Sequence, residues 1–484
     1  LLSRASALAR LQTTIVERAL RAAHPALQIE CLTRASAGDQ DQTTPLWQLP
    51  DTGAFTADIS RALVDGDADI AVHSFKDLPT EMPGGTRLAG ALPRADARDL
   101  LLLRKTASGE RPAALRILSS SPRRAWLLSE SVPALLPWPV SDVLAVTVRG
   151  NIDTRLRKLV EGQEHGLVMA KAALDRLLGF GAPFEREAAA IRSLLDHCRW
   201  MVLPMREFPW APAQGALALE IADGRSDLEA LLRPILCDRT TSAVEQERTI
   251  LAEHGGGCHQ ALGAAVADQA FGRVVSIRAR DRAVTVWELQ GERRAFPRTT
   301  ADRMWPRRDE GVAAARRAVP VAQPHADAYR VARADAMPDR WALDDSTVVW
   351  AAGGTTWRRL AARGIWVNGC ADGLGDDQAP EVDVLAGRTL QWVNLTHDGS
   401  DRHDALATYH VDAALPEDLP ARSHFFWTSG DTFLRAVERW PSIRGGWHAS
   451  GPGRTRQTIV ATVGATERTG VWLDRESWER DVCL

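Results

Sequence analysis

The sequence predicts an α/β protein of several domains, on three observations. The chain has 484 residues, too many for one hydrophobic core. Between residues 117 and 178, a short apolar strand, a basic turn and a helix follow one another three times. That alternation builds a parallel sheet. Near the C-terminus, two more apolar runs, His424-Phe425-Phe426-Trp427 and the stretch at His448, enter small glycine-rich turns that open helices.

In chain order, Ser3-Arg4-Ala5-Ser6 precedes a helix in which Leu8, Leu11, Ile15 and Ala19 share a face, with Ser6 as its cap. Residues 1–21 are rich in Arg but read as that helix, not as a transit peptide. Residues 27–33 alternate like a strand, residues 35–50 form a polar loop, and residues 54–64 form a helix with Phe55, Ile59 and Leu63 on one side and Gly66 ending it. A buried strand, Ile70-Ala71-Val72, empties into His73-Ser74-Phe75-Lys76-Asp77-Leu78-Pro79. A carboxylate beside an ammonium at the mouth of a buried strand is where α/β proteins carry out chemistry. The turn Arg94-Ala95-Asp96-Ala97-Arg98-Asp99 reads as a hinge or a solvated corner before a strand at 100–103.

The three repeats then place Ser119-Ser120-Ser121-Pro122-Arg123-Arg124, Arg149 with Arg155, and Arg176 after successive strands. Asp153 is the expected cap of the helix carrying Arg155. One sheet edge would thus collect Arg123, Arg124, Arg149, Arg155 and Arg176, and like charges so crowded call for an anionic partner. An irregular crossing through Leu203-Pro204 and Pro209–Gly215 leads to a strand, and a helix at 244–252 leads to Gly255-Gly256-Gly257-Cys258-His259. A thiol on a glycine turn is approachable, so Cys258 is the cysteine expected to do chemistry.

Composition sets limits. Apolar residues make up 45% and charged residues 25%, an ordinary globular balance. A formal net charge of −3 excludes a protein that coats nucleic acid by bulk charge but leaves room for a local basic cleft. No apolar run approaches the roughly 18 residues that span a membrane. The six cysteines are scattered with no zinc-ligand spacing, so no metal site is expected, and they read as reduced thiols of a cytoplasmic protein.

Together these residues resemble hydroxymethylbilane synthase, also called porphobilinogen deaminase, over residues 1 to about 290. The resemblance rests on Ser3-Arg4-Ala5-Ser6, residues 71–79, residues 119–124, Arg149-Gly150-Asn151-Ile152-Asp153-Thr154-Arg155-Leu156, Pro212-Ala213-Gln214-Gly215-Ala216 and Gly256-Gly257-Cys258. It implies two lobes like those of periplasmic binding proteins, with the active cleft between them, and a small α+β third domain. Lobe 1 would comprise residues 1–92 and 200–216, lobe 2 residues 93–199, and the third domain residues 217–295. The resemblance further implies a dipyrromethane cofactor on Cys258 through a thioether, with Lys76, Ser121, Arg123 and Arg124 holding it. Asp77 would be the catalytic carboxylate that stabilises cationic azafulvene and pyrrolenine intermediates. Arg4, Arg149, Arg155 and Arg176 would grip the acetate and propionate groups of porphobilinogen. A monomer without nucleic-acid or membrane partners is expected. The chain departs from the family pattern in three places. Asp51-Thr52-Gly53-Ala54-Phe55 lacks the Lys of the family's Gly-Lys-Gly loop, Pro122 stands where Leu is usual, and Lys171 and Ala173 alter the run before Arg176.

Residues 296–344 read as a linker, and residues 345–484 as a further α/β region with strands at 348–351, 365–367 and 389–395. Trp427-Thr428-Ser429-Gly430 and Gly451-Pro452-Gly453-Arg454-Thr455 resemble uroporphyrinogen-III synthase. That resemblance implies a multifunctional enzyme whose second, lyase activity closes the linear tetrapyrrole, with Tyr409 and Thr428 as substrate contacts. The rival reading is a non-catalytic, two-lobed binding protein for an anionic small molecule, with an inactive C-terminal extension.

Overall fold

The computed structural model describes residues 1–34, 56–257, 260–291, 296–307, 314–375, 380–400, 405–413 and 415–484. By contact the chain forms two compact units. The first is Leu1–Asp268, Ser276–Val286 and Glu381–Thr389; the second is Gln269–Val275, Trp287–Pro380 and Leu390–Leu484.

Ten strands of the first unit make two sheets: β1 (Leu2–Arg4), β2 (Leu32–Arg34), β3 (Ile70–Ser74), β4 (Thr86–Ala91), β5 (Asp99–Arg104), β6 (Ala114–Leu118), β7 (Asp142–Val146), β8 (Gly166–Ala170), β9 (Cys198–Val202) and β10 (Leu217–Ala222). Lobe 1 has the order β2-β1-β3-β10-β4, and lobe 2 the order β7-β6-β8-β5-β9. In lobe 1, β1 runs parallel to β2 and β3, while β10 is antiparallel to β3 and β4. Lobe 2 repeats the plan: β6 is parallel to β7 and β8, and β5 is antiparallel to β8 and β9. This is the two-lobed, periplasmic-binding-protein-like architecture that the sequence led us to expect.

The apolar patterns explain the layers. Leu100, Leu101, Leu102 and Leu103 of β5 are all fully buried, as a central strand covered on both faces requires. The helix Ala7–Ala23 starts at Ser6, whose hydroxyl accepts from the Ala9 N–H at 3.3 Å. It buries Val16 and Leu20 against Ile70 and Val72.

Several expected boundaries move. Cys198–Val202 pairs in the lobe 2 sheet and Leu217–Ala222 in the lobe 1 sheet, so the return crossing lies between them, not at residue 200. Leu228, Leu232 and Ile235 pack into the lobe 1 core with Val16 and Ile70, so the third domain does not begin at 217. The strand expected at 27–33 is only Leu32–Arg34. The helix carrying Arg155 is Ile152–Glu161 with Asn151 at its cap, which places Asp153 in the first turn. The loop at 35–55, Phe55 included, lies outside the described residues.

The helix Asp238–Glu253 leads on to a three-stranded sheet, β11 (Leu262–Gln269), β12 (Gly272–Ala279) and β13 (Val284–Gln290).

In the second unit, β14 (Met304–Trp305), β21 (His424–Trp427), β22 (Trp447–Ser450) and β23 (Thr469–Val471) form a parallel sheet. Phe425 and Trp427 pack to one side with Trp305 and Phe433, and Phe426 to the other with Met304 and Trp478. That period-2 alternation covers both faces. A second sheet has the order β15-β20-β19-β16-β17-β18, made of β15 (Ala314–Ala318), β16 (Ala328–Val331), β17 (Val348–Ala351), β18 (Gly369–Cys370), β19 (Trp392–His397) and β20 (Ala405–Ala413). The linker expected at 296–344 is therefore corrected: β16 is an interior strand between β17 and β19. Four residues, one of them Arg330, are too short a run to announce burial that only the neighbouring strands supply. The strand expected at 365–367 lies instead at Gly369–Cys370.

Candidate active site

Strand β3 passes directly into a single tight turn, Phe75–Asp77. Phe75 is buried with Leu78, Ala213, Ala216 and Val244, and its N–H donates to Ala216 O at 3.1 Å. Anchoring that ring leaves Asp77 exposed at the carboxyl end of the strand, with Lys76 half-buried beside it. Arg4 ends β1, the parallel neighbour of β3. Parallel strands bring their C-terminal ends to one edge, so Arg4 Nη1 lies 3.7 Å from Asp77 Oδ2 despite the distance in sequence.

Lobe 2 supplies the facing cations. Ser121 caps the helix Pro122–Ser131, its hydroxyl accepting from the Arg124 N–H at 3.4 Å. Arg123 Nη2 donates to Asp99 Oδ2 at 2.7 Å and Nη1 to Pro209 O at 2.8 Å. Arg124 Nη2 donates to Asp99 Oδ1 at 2.6 Å and to Gln214 Oε1 at 3.3 Å. Burial alone would raise the Asp99 carboxyl. Arg123 and Arg124, with hydrogen bonds from Arg124 and Gln214, instead hold it well below the usual carboxylate range. One carboxylate between two guanidinium groups leaves a surplus positive charge.

Arg155 Nε donates to Gly150 O at 2.7 Å. Burial, with the charges of Arg124 and Arg149, pushes this guanidinium down to about 10, and Asp77 opposes the shift. Burial and Arg124 push Lys76 down to about 8, against the pull of Asp77 and Asp99. Lys76, Arg124, Arg149 and Arg155 therefore share one electrostatic neighbourhood with Asp77, and Arg4 touches it. Arg176 is tied to the crossing segment: its Nη2 donates to Gly215 O at 2.7 Å, and burial pushes it down to about 10 with Asp175 opposing. Arg123 is 3% exposed. The sequence grouped it with the anion grip, but the structure commits it to Asp99 and Pro209.

Two residues to which the sequence assigned no role organise this site. Gln214 is fully buried; its Nε2 donates to Ala97 O at 2.7 Å and Asp99 Oδ1 at 3.0 Å, while its Oε1 accepts from Lys76 at 3.2 Å. It thereby ties the Asp77 turn to the arginine pair. Glu247 accepts from Arg94 at 2.8 Å, Trp210 Nε1 at 2.8 Å, the Ala213 N–H at 2.7 Å and the Val266 N–H at 2.8 Å. That carboxylate holds Ala213 at φ +64°, a conformation that costs an alanine energy. Next to it, Gly215 has φ +84°, and a Cβ there would lie 2.8 Å from Ala95 O. A signal for Asp99 existed: two adjacent arginines inside a fold need an acid. The charged turn before it looked solvated.

Cys258 and His259 lie outside the described residues. The turn leading to them is described: Gly255, Gly256 and Gly257 have φ of +88°, +64° and +86°. A Cβ on Gly256 would lie 3.4 Å from Thr80 Oγ1. Arg248 stands over the Phe75 ring at 5.3 Å and donates to Thr80 O at 2.8 Å. The residues just before Cys258 are thus held against the loop that follows Asp77.

The family model described as "Porphobilinogen deaminase, dipyromethane cofactor binding domain" matches residues 1–230. A porphobilinogen deaminase of Burkholderia thailandensis is 37% identical over 297 residues, which cover 58% of this chain and 83% of that protein. The chain belongs to the porphobilinogen deaminase family. A porphobilinogen deaminase of Burkholderia ambifaria is 38% identical over 263 residues, covering 54% of this chain and 73% of that protein. Among solved structures, a probable amino-acid ABC transporter extracellular-binding protein of Bacillus subtilis aligns with 49% of this chain and 86% of its own, at 9% identity and a TM-score of 0.26.

The family model is named for a dipyrromethane cofactor, and the donor set of this member fits such a group. A dipyrromethane carries several carboxylates, and the cations Arg4, Lys76, Arg124, Arg149 and Arg155 outnumber the carboxylates Asp77 and Asp99 around them. Burial, reinforced by mutual repulsion, already lowers two of these cations, and an oligoanion relieves the repulsion.

In the second unit, Tyr409 lies in one sheet and Thr428 follows a strand of the other. Tyr409, on β20, is 2% exposed; burial pushes its phenol up, with Arg333 and Arg316 opposing, and its ring meets His397 edge-on at 6.0 Å. Thr428 is exposed just past β21. His448 is a core residue: Nδ1 accepts from Trp427 Nε1 at 3.0 Å, and burial pushes it down to about 4. Among the described residues, no helix is long and apolar enough to cross a membrane.

Proposed function

We propose that this chain catalyses the deaminase step of tetrapyrrole biosynthesis, joining four porphobilinogen molecules into hydroxymethylbilane with release of ammonia. The single observation that carries the reading is Asp77, one exposed carboxylate at a strand edge with Arg4 at 3.7 Å and the charges of Lys76 and Arg155 around it. A dipyrromethane moored to Cys258 would supply an electron-rich pyrrole carbon already tethered at the site. The residues of the chain do the rest. Asp77 faces the positive charge that develops on the substrate's methylene carbon as its C–N bond breaks. Arg4, Lys76, Arg149, Arg155 and Arg176 hold acetate and propionate groups, each charged hydrogen bond contributing roughly 1.5–3 kcal/mol. Arg124, with Ser121 and Arg123 behind it, completes the grip on the cofactor. Tethering makes each addition a positioned event in place of a collision.

The proposal extends to residues 296–484 as a uroporphyrinogen-III-synthase-like body that closes the product. Helices starting at Gly354, Gly430 and Arg454 each follow the end of a parallel strand, which suits carboxylates. A Cβ on Gly375 would lie 3.4 Å from Gly453 Cα, so loops from the two sheets approach each other. Both features support a cleft for an acidic ligand, with Thr428 at its rim.

Intact-protein mass spectrometry tests the first part. After expression with porphobilinogen available, we expect an adduct of dipyrromethane mass that is lost in Cys258→Ser. Asp77→Ala is expected to keep its circular dichroism spectrum and lose turnover. An unmodified parent chain would favour the two-lobed binding protein instead, and normal turnover in Asp77→Ala would remove that residue from its role.

A further inference from the structure

Residues 381–389 belong by contact to the first unit, although the chain on either side of them belongs to the second. Their short helix, Asp383–Ala386, ends at Gly387 with φ +73°. It packs on the lobe 2 helix Lys171–Gly179, where a Cβ at Gly179 would already meet Val384 at 3.4 Å. Val382 is 0% exposed and Leu385 4%. Arg192, on the helix Glu185–Leu195, donates through Nη1 to Leu385 O at 2.8 Å and through Nη2 to Val384 O. It thereby satisfies carbonyls that a helix end leaves open.

Lys171 makes the contact specific. Its ammonium is fully buried and has three donors. One goes to Asp175 Oδ2 at 2.6 Å and one to Glu381 O at 2.7 Å, and Asp96 Oδ2 lies 3.4 Å away. Without residue 381, one donor of a buried ammonium is left without its acceptor, which is unfavourable. Lys171 is also one of the positions where the run before Arg176 departs from the family pattern. The departing residue is the one that grips the C-terminal segment.

We infer that residues 381–389 form an internal strap that docks on lobe 2 and fixes the helix bearing Arg176, so that the grip on substrate carboxylates depends on the C-terminal part of the chain. Lys171 and Arg192 act as positioning residues. Arg176 follows Lys171 on the same helix and reaches Gly215 O at 2.7 Å, so a shift of that helix moves its guanidinium relative to the site. The kinetic half of this inference rests on the deaminase reading; the docking half does not.

Hydrogen exchange on the whole 484-residue chain tests docking. The Ala386 and Arg388 N–H groups donate to Val382 O and Asp383 O, and a one-turn helix in water would give them no protection. Slow exchange in the parent is expected, and exchange at least about tenfold faster in Arg192→Ala and in Val382→Asp. KM for porphobilinogen should rise about threefold or more in both variants, with kcat changed less than about twofold. A purely structural role would lower stability and leave KM unchanged. Unprotected amides in the parent, retained protection in Val382→Asp, or release of the strap with unchanged KM would each overturn the inference. If turnover is absent even in the parent, the deaminase reading fails while the exchange result still decides docking.

Discussion

Asp99 has no exposed surface and answers two guanidinium groups. Asp99→Asn keeps the shape and removes the charge, leaving Arg123 and Arg124 buried without compensation. A loss of about 3–5 kcal/mol is expected, measurable as a lower urea midpoint. Lys76 gives a pH signature. Its ordinary value is 10.5, and burial pushes it down to about 8. Its charge is therefore lost in the folded, cofactor-free protein as pH rises through about 8, and porphobilinogen binding to Cys258→Ser should weaken along that limb. Adding Lys76→Met should lower that affinity at pH 7 and remove the limb between pH 7 and 9. The effect on stability has the opposite sign. Between about 8 and 10.5 the unfolded chain binds the proton that the folded chain has shed, so this group's contribution to stability rises with pH there. Asp77 and Arg4 stand out in local pattern because Arg4 ends a short strand and Asp77 lies one turn past another. The arginine pair was legible as basic, but not as already neutralised by half, because the acid that does so lies in a turn whose burial no local pattern reveals.

At the scale of elements, the strand–turn–helix rhythm of lobe 2 was readable because each strand is a compact apolar run. β6, β7 and β8 do lie side by side in one sheet. What the rhythm could not reveal is that the strands expected at 100–103 and after the crossing, β5 and β10, run antiparallel through the two sheets and tie each lobe to the crossing segments. Those crossings link the Asp77 turn to the arginines through Gln214, and Gly215 is closely packed within them. Gly215→Ala combines a positive φ with a Cβ 2.8 Å from Ala95 O. A cost of about 1–3 kcal/mol is expected, with loss of the neighbouring Gln214 contacts. Thermal melts and a raised KM for porphobilinogen would report it. If Gly215→Ala matched the parent in both, the crossing would not be under the constraint described.

For the whole molecule, the C-terminal third decides whether one chain performs one step or two. Hydroxymethylbilane left alone closes spontaneously to isomer I. On the cyclase proposal, the purified 484-residue chain supplied with porphobilinogen is expected to yield uroporphyrinogen III, resolved by chromatography of the oxidised products. Isomer I alone would mean that this part does not cyclise. Its architecture was the least legible portion. The stretch assigned to a linker contains β16, flanked on both sides in its sheet. Residues such as Ala328 and Tyr329 become core only when β17 and β19 close over them.

The sequence alone determined the α/β class, the two-lobed family and the residues that carry charge at strand ends. Those features are written in local runs: apolar spans of four to six residues, helix caps and glycine turns. Only the tertiary structure decided which charged and polar groups meet. Asp99 between two arginines, Gln214 between two lobes and Glu381 on Lys171 join positions 24, 138 and 210 residues apart. Electrostatic pairing depends on distance in space and on the removal of water, and a linear pattern records neither.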